Sequence, residues 1–434
     1  MPEATVIVTV HNAEKYLREC LDSVIGQTFS DIEILCMDGG STDASPRILK
    51  EYAAKDNRVC IINDPNTSYG HKVNEGIRQA KGKYVSVLES DDMYDPDMLQ
   101  RLYGIAEQYK ADYVNGDYRN IFDIHGKRYQ VLVKMYPEED YGKLLESSKH
   151  PENMRQILRY WTGIFNREFL LKKDIRMNES PGASFQDMSF RFLISALADR
   201  AYHLEEPVYL YRVDNPGSSV YDPKKAVVIA DEFDFLKRDL ARREIKDPCI
   251  WRHFYTWKYN DFYGNLTRFS DEARTVLFER CYDEMEKDQE ILVELFDEKL
   301  MSASIRDFLR KSKGEVWEDL EEIYRKVKEG EEKRYGFLEN LGENETVIFG
   351  CGMRGRSSLT FFKMLGIEKQ ICCFTDNDKN LWGTRLDGYM VVPPSEAGRR
   401  YPDALFLIAN KYHGDEIERQ LMEMGIEETK IYRF

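Results

Sequence analysis

"YVSVLESDDMYDP" (84–96) runs from an alternating apolar strand into a crowd of acids, Glu89, Asp91, Asp92 and Asp95. The same strand signal recurs three times upstream, as "ATVIVTV" (4–10), "IEILCMD" (32–38) and "RVCII" (58–62). Helical patterns separate them. Asn12 is placed to cap a helix with Leu17, Leu21, Val24 and Ile25 on one face. Ser45 is placed to cap the next, with Pro46 in its first turn, and "HKVNEGIRQAKG" (71–82) supplies a third. Strand–helix–strand repetition of this kind predicts an α/β fold with a mostly parallel sheet covered on both sides. Ligands of such sheets gather at the carboxyl ends of the strands, where Thr9, Asp38 and the acidic cluster fall.

The chain has 434 residues, 42% hydrophobic and 32% charged, and a formal charge of −15. That is too long for one core and has the composition of a folded, non-membrane protein. The acidic balance argues against a general nucleic-acid binder. The eight cysteines show neither metal-ligand pairs nor disulfide density. No leader pattern and no bilayer-length apolar stretch is found, so the expectation is a cytoplasmic protein, with room for peripheral work at the inner face of a membrane or for a homo-oligomer.

Residues 121–222 read as mixed, with a helix in "DMSFRFLISALAD" (187–199). From 223 to 340 the pattern is helical and strongly charged, as in "EVWEDLEEIYRKVKEGEEKR", a charge run that reads as a solvated helical face with i,i+4 ion pairs. A second α/β unit follows at 341–434: "TVIFG", a glycine turn and helix, "QICCFTDND", "ALFLIAN" (404–410), "DEIERQLMEM" and "KIYRF". The expected organisation is therefore 1–222, 223–340 and 341–434.

Asp95-Pro96 reads as a helix start above a buried face of Leu99, Leu102, Ala106 and Tyr109. That leaves Glu89, Asp91 and Asp92 without capping duty. Like charges this close repel unless a cation neutralises them. Mg²⁺ or Mn²⁺, which is held by one or two carboxylates together with substrate phosphates, fits such a cluster.

"VTVHNAEKYLRECLDSVIGQTF", "MDGGSTD", "GIRQAKGKYVSVLESDD" and "SFQDMSF" occur in the order and spacing of family 2 glycosyltransferases, which the chain resembles over roughly residues 4–220. The resemblance implies a GT-A fold, a nucleotide-sugar donor and inversion at the anomeric carbon. By position, "LESDD" is similar to the family's metal-binding stretch, with Asp91 touching the ion, Glu89 standing where an Asp is usual, and Asp92 beside them in the donor site. "MDGGSTD" resembles the nucleotide pocket. Asp38 matches the first acid of a usual pair, and Gly39 replaces the second. Thr9 and His11 stand where the first strand meets the base, His11 in place of a commoner Tyr. Lys72 is placed to reach donor phosphates, although a lone lysine is more often solvated, and Val73 fills the place of a familiar arginine. In "SFQDMSF", Gln186 replaces a Glu and Asp187 is retained as the general base; an acid there would also suit a helix start. "YRVDNPGSSV" (211–220) reads as a polar turn that belongs to the acceptor site or closes the domain.

"FGCGMRG" places Gly350, Gly352 and Gly355 between a strand and a helix, with Asp376 at the end of the next strand. Alone this is a dinucleotide-binding fingerprint. Arg354 and Arg356 crowd it, and the segment resembles small Rossmann-like modules that end some bacterial sugar-modifying enzymes. The preferred expectation is a metal-dependent inverting transferase acting on a UDP-sugar and a surface-glycan or lipid-linked acceptor. Two alternatives stand beside it: an NAD(P)-dependent oxidoreductase or epimerase at the glycine loop, and a degenerate, non-catalytic transferase.

Overall fold

The computed structural model describes residues 1–124, 127–154, 156–215, 227–266, 271–297, 299–410 and 413–434. They form two compact units, 1–120 with 132–321, and 121–131 with 322–434. The expected boundary at 222/223, and residues 216–220 of the polar turn, lie outside the described residues.

The first unit opens with β1 (Ala4–Val10), α1 (Leu17–Ile25), β2 (Ile32–Asp38), α2 (Ser45–Ala53), β3 (Val59–Asn63), α3 (Tyr69–Gln79) and β4 (Tyr84–Glu89). Every residue of β1 and β2 is buried, as strands covered on both faces must be. Beyond them come β5 (Met93–Tyr94), α4 (Met98–Tyr109), β6 (Tyr113–Ile124), β7 (Lys127–Val133) and β8 (Leu144–Leu145). Then follow β9 (Gly163–Asn166), α5 (Arg167–Lys172), α6 (Met188–Leu197) and β10 (Ala201–Arg212). The sheet order is β3-β2-β1-β4-β9-β6-β10-β5. Strands β1 to β4 pair in parallel, whereas β9 runs antiparallel to β4 and β6. The parallel half is the part that local periodicity foretells; the antiparallel half is closed by pairings far apart in sequence.

Helices α7 (Val228–Arg242), α8 (Pro248–Leu266), α9 (Asp271–Leu295), α10 (Ala303–Arg310) and α11 (Lys313–Leu341) follow. Those ahead of the charge run carry an apolar face. Phe233, Phe254 and Phe262 are fully buried in the same apolar cluster as Phe192 of α6 and the sheet. Lys258 is buried too, between Glu284 at 2.7 Å and Asp288 at 2.9 Å.

Three expected caps take other partners. Asn12 adopts a left-handed φ of 50° and its Oδ1 accepts the Thr42 N–H, so α1 starts later, at Leu17. Ser45 lies inside α2, its hydroxyl accepting the Ala13 N–H at 2.9 Å. Asp95 pairs with Arg101 and Arg119, and α4 begins at Met98. In each case a tertiary partner outcompetes the nearby helix end.

In the second unit, β11 (Thr346–Phe349), α12 (Met353–Met364), β12 (Ile371–Thr375), β13 (Arg385–Leu386) and β14 (Tyr389–Val392) are followed by α13 (Pro394–Arg400), β15 (Leu405–Ile408), α14 (Gly414–Glu423) and β16 (Ile431–Arg433). The order is β13-β14-β12-β11-β15-β16, parallel except for β13. Alternate strand residues fill two cores. Ile348, Phe374 and Leu407 face one side, while Val347, Cys373 and Phe406 face the other. Phe122, Tyr129 and Val131 join the first of these cores, with the Phe122 and Tyr129 rings stacked at 5.6 Å.

Candidate active site

Strand register builds the site. Val10 lies beside Asp38 and Thr9 beside Glu89, so three carboxyl ends meet in one row. Glu89 Oε2 accepts the Thr9 hydroxyl at 3.1 Å, and Oε1 accepts the hydroxyls of both Tyr69 and Tyr160. Those two hydroxyls also touch, at 2.8 Å, so two protons serve three oxygens. Burial pushes the Glu89 carboxyl up to about 7; the Tyr160 and Tyr69 hydrogen bonds oppose the shift and the Asp91 charge adds to it. Asp92 turns inward, accepting from the Tyr209 hydroxyl at 2.9 Å and the Arg212 N–H at 2.7 Å. Burial, then Asp91, drives its carboxyl well above the usual range. Both oxygens of Asp92 are thus engaged within the chain. Asp91 stays half-exposed, one oxygen held by Asn215 Nδ2 at 2.8 Å. The nearby Arg212 gives its Nε to the Asp91 carbonyl and an Nη to Glu19. Among the described residues no cation pairs with Glu89, Asp91 or Asp92.

On the nucleotide side, buried Asp38 accepts the Ser41 N–H at 3.0 Å. A Cβ at Gly39 would sit 2.1 Å from Lys72 Cε and 2.6 Å from Nζ, so the missing carboxylate leaves the space through which Lys72 passes. Lys72 is not the solvated lysine its isolation in sequence suggests. It is only 4% exposed, and among the described residues its ammonium has no hydrogen-bond or ion-pair partner. Burial lowers its pKa, against the pull of Asp64, Asp38 and Glu89. His11 is exposed, with Nδ1 at 3.1 Å from the Gly39 carbonyl.

Asp187 immediately precedes α6, yet its carboxylate makes no cap hydrogen bond. It pairs instead with Arg191 at 3.1 Å, whose Nε donates to the Leu158 carbonyl at 2.9 Å. The segment before Asp187 is tightly tied. Buried Gln186 donates to the carbonyls of Ser180 at 3.2 Å and Gly182 at 3.0 Å. A Glu at 186 would bring only acceptors to those carbonyls, which explains the amide. Glu232 of α7 accepts from Asn178 at 3.0 Å and from Ser180 at 2.6 Å. Burial pushes Glu232 up to about 7, with Asp187 and Asp231 adding to the shift. The Gly182 carbonyl in turn accepts the Tyr69 N–H at 2.8 Å. Tyr69 therefore joins the two halves: its N–H holds the Asp187 segment and its hydroxyl holds Glu89.

Tyr69, Tyr160, Arg191 and Glu232 carry no motif, and sequence reading passes over them. One signal was available. Gly70 leaves room for the Asn178 carbonyl, which a Cβ would meet at 1.9 Å.

In the second unit the glycine loop is filled by its own chain. A Cβ on Gly355 would meet the Gly350 carbonyl at 1.9 Å, and one on Gly350, at φ +118°, the Ala409 carbonyl at 2.7 Å. Asp376 accepts the backbone N–H groups of Cys351 at 2.8 Å and Asp378 at 2.9 Å. Arg354 donates to the Phe434 carbonyl. The acid that would hold a ribose is committed to the loop itself.

Residues 5–172 match the family model for Glycosyl transferase family 2, and residues 342–432 match one described as C2185-like, N-terminal. The Bacillus subtilis (strain 168) protein named "Uncharacterized glycosyltransferase EpsJ" is 32% identical over 228 residues, 52% of this chain and 65% of that one. The glycosyltransferase GlyG of Streptococcus pneumoniae serotype 4 is 30% identical over 218 residues, covering 48% of this chain and 70% of its own. The chain thus spans just under two thirds of EpsJ. The structure of S. aureus TarS 1-349 in complex with UDP-GlcNAc superposes with a TM-score of 0.52 at 21% identity, covering 75% of this chain and 92% of that one, a likeness of fold. With a row of strand-end acids, a buried lysine beside Asp38 and a tied segment carrying Asp187, the chain belongs to glycosyl transferase family 2.

Proposed function

We propose that this chain transfers a sugar, with inversion, from a nucleoside diphosphate donor to a hydroxyl of a surface-glycan or lipid-linked acceptor, with the help of a divalent cation. The observation that carries it is the row of Glu89, Asp91 and Asp92, in which burial pushes two carboxyls up and no described cation answers them. Among the described residues no group of three or more His, Cys, Asp or Glu forms a self-sufficient metal site. The residues nevertheless fit an ion shared with a substrate, because Mg²⁺ or Mn²⁺ needs only one or two carboxylates when phosphates complete its shell. Asp91 would hold it, with Glu89 in support. The ion, when bound, would neutralise the diphosphate as it leaves.

Lys72 adds a buried positive charge beside Asp38, suited to an acceptor atom of the base or to a phosphate oxygen. Asp187 takes the proton of the acceptor hydroxyl while that oxygen bonds to the anomeric carbon and the bond to the diphosphate breaks. Tyr69 and the Glu232-anchored segment keep Asp187 at a fixed distance from the acids. The structurally similar TarS holds UDP-GlcNAc, which puts UDP-sugars first in the donor panel. An NAD(P) role for the second unit finds no support in a loop whose acid and glycines are already occupied. No helix among the described residues is long and apolar enough to cross a membrane, which suits a catalytic unit that meets any lipid-linked acceptor from one side.

The test is a thermal-shift screen of nucleotide sugars with and without Mn²⁺, followed by donor hydrolysis. A melting-temperature rise that needs both UDP-sugar and metal is expected; a metal-indifferent response would remove the ion from the proposal.

A further inference from the structure

Beside Asp187 stands a charge that the transfer chemistry leaves unused. Arg159 is half-buried, and among the described residues its guanidinium has no hydrogen-bond or ion-pair partner. Its neighbour Arg191 is spent on Asp187 and on the carbonyl of Leu158, the residue next to Arg159. Arg159 is also anchored: its own carbonyl accepts both the N–H and the hydroxyl of Thr162, at 3.2 and 2.9 Å. The Arg191 charge, then burial, hold it below its usual range, against the pull of Tyr118, Asp261 and Asp187. A half-buried guanidinium offers five donors and no acceptor, and leaving them unmet is costly.

An aromatic ledge adjoins it. Trp161 stacks on Tyr211 at 5.0 Å with 10° between the planes, and Tyr118 meets Trp161 edge-on at 4.8 Å. Trp161 is buried, while Tyr118 and Tyr211 stay partly open. The Tyr211 hydroxyl feels Asp92, Asp91 and Glu89 and, with opposite sign, Arg159. The ledge therefore lies within reach of both the acid row and Arg159. A ligand that spans the ledge and Arg159 meets the guanidinium on which Asp187 pulls, on the side of the acceptor's base rather than of the donor's nucleotide.

We propose that Arg159, with the faces of Tyr118 and Tyr211, forms an acceptor subsite for an anionic glycan, the rings carrying a sugar or polyol unit and the guanidinium its phosphate or carboxylate. A planar fork matches both anions bidentately. This rests on the transferase reading above.

The full chain, loaded with UDP and Mn²⁺, is titrated calorimetrically with three probes: a glycerol phosphate oligomer, a glucuronate-containing oligosaccharide and neutral maltohexaose. UDP binding in the first step tests the transferase reading by itself. At least one anion should bind tenfold more tightly than maltohexaose and weaken as salt is raised, and the better of the two names phosphate or carboxylate as the source. Arg159→Gln should cost the preferred anion about 10- to 100-fold, the range for one charge-assisted hydrogen bond, and Arg159→Lys should recover part of it. Should Arg159→Gln fail to fold, the comparison of probes and its salt dependence on the unaltered chain still decide. An anion advantage below tenfold, including no binding by either anion, overturns the proposal, as does an Arg159→Gln variant within two-fold of the parent.

Discussion

Two strand ends in this molecule share one grammar and differ in what they leave unspent. At β12 a glycine turn and Asp376 follow a parallel strand, and the carboxylate accepts two backbone N–H groups while the glycines admit the chain's own carbonyls. At β4 the acids are packed among hydroxyls and one another, with two carboxyls raised and the nearby Lys72 buried without a side-chain partner among the described residues. The first arrangement is complete in itself. The second leaves capacity unspent, which the proposed donor phosphates and cation would take up. A glycine–acid motif thus reports a backbone geometry, and the destination of its hydrogen-bonding capacity separates a packing device from a site.

Paired substitutions test that contrast most directly. Asp91→Asn should reduce transfer below detection without changing the melting temperature by more than a few degrees, and EDTA should silence the parent. Asp376→Asn should leave transfer intact and cost about 1 kcal/mol of stability in the second unit, the scale of one lost hydrogen bond. Product assays and calorimetry on both variants decide. Transfer lost at Asp376 and kept at Asp91 would invert the assignment.

Asp187→Asn comes next. General base catalysis contributes ~10²–10⁴-fold, and kcat should fall by that factor while donor affinity holds. Because Asp187 pairs with Arg191 and does not cap α6, both Asn and Ala lose the same ion pair, so their melting temperatures should nearly coincide. A kcat within a few-fold of the parent would place the base elsewhere.

A smaller effect is expected where Gly39 admits Lys72. Any side chain there meets the end of a flexible lysine, which can move aside, so Gly39→Ala should fold and displace the ammonium. Donor affinity by calorimetry should drop about tenfold, the value of one moderate charged contact. An unchanged affinity would make Lys72 a spectator.

What was legible in sequence was whatever depends on neighbours along the chain. The parallel strands β1 to β4, the helical run and the succession of β11, β12, β15 and β16 along the second unit follow from local apolar periods and turn residues. Thr9 and Glu89 meet as the strand-end rule requires. The partners of Glu89 were not legible, since Tyr160 lies 71 residues away in an irregular segment with no period to read. The caps expected at Asn12, Ser45 and Asp95 were misplaced for a related reason: each side chain found a tertiary partner that no local rule ranks above a helix end. Glu232 was hidden in a long charged helical stretch with no motif to mark it.

That residue carries the smallest expected effect on turnover. Glu232 touches no reacting group; it holds Asn178 and Ser180 of the segment leading to Asp187, so Glu232→Gln should change kcat only a few-fold. Its signature is in stability against pH. The carboxyl stands at about 7 in the folded chain against an ordinary 4.5, raised by burial and by Asp187 and Asp231. A raised acid favours folding while protonated, so its contribution is full below pH 4.5 and disappears as pH rises through 7. The full swing is on the order of 3 kcal/mol, at about 1.36 kcal/mol for each pH unit between the two values. Glutamine has no such swing, but it has one oxygen for two donors and forfeits a hydrogen bond at every pH. Melting curves at pH 5 and pH 8 should therefore show Glu232→Gln clearly less stable than the parent at the lower value, with the gap closing or reversing at the higher. Glu89 and Asp92 are unchanged in both proteins, so their own titrations cancel in that difference. A gap independent of pH would mean that Glu232 titrates as an ordinary surface acid, and that the segment before Asp187 is held by Gln186 and Tyr69 alone.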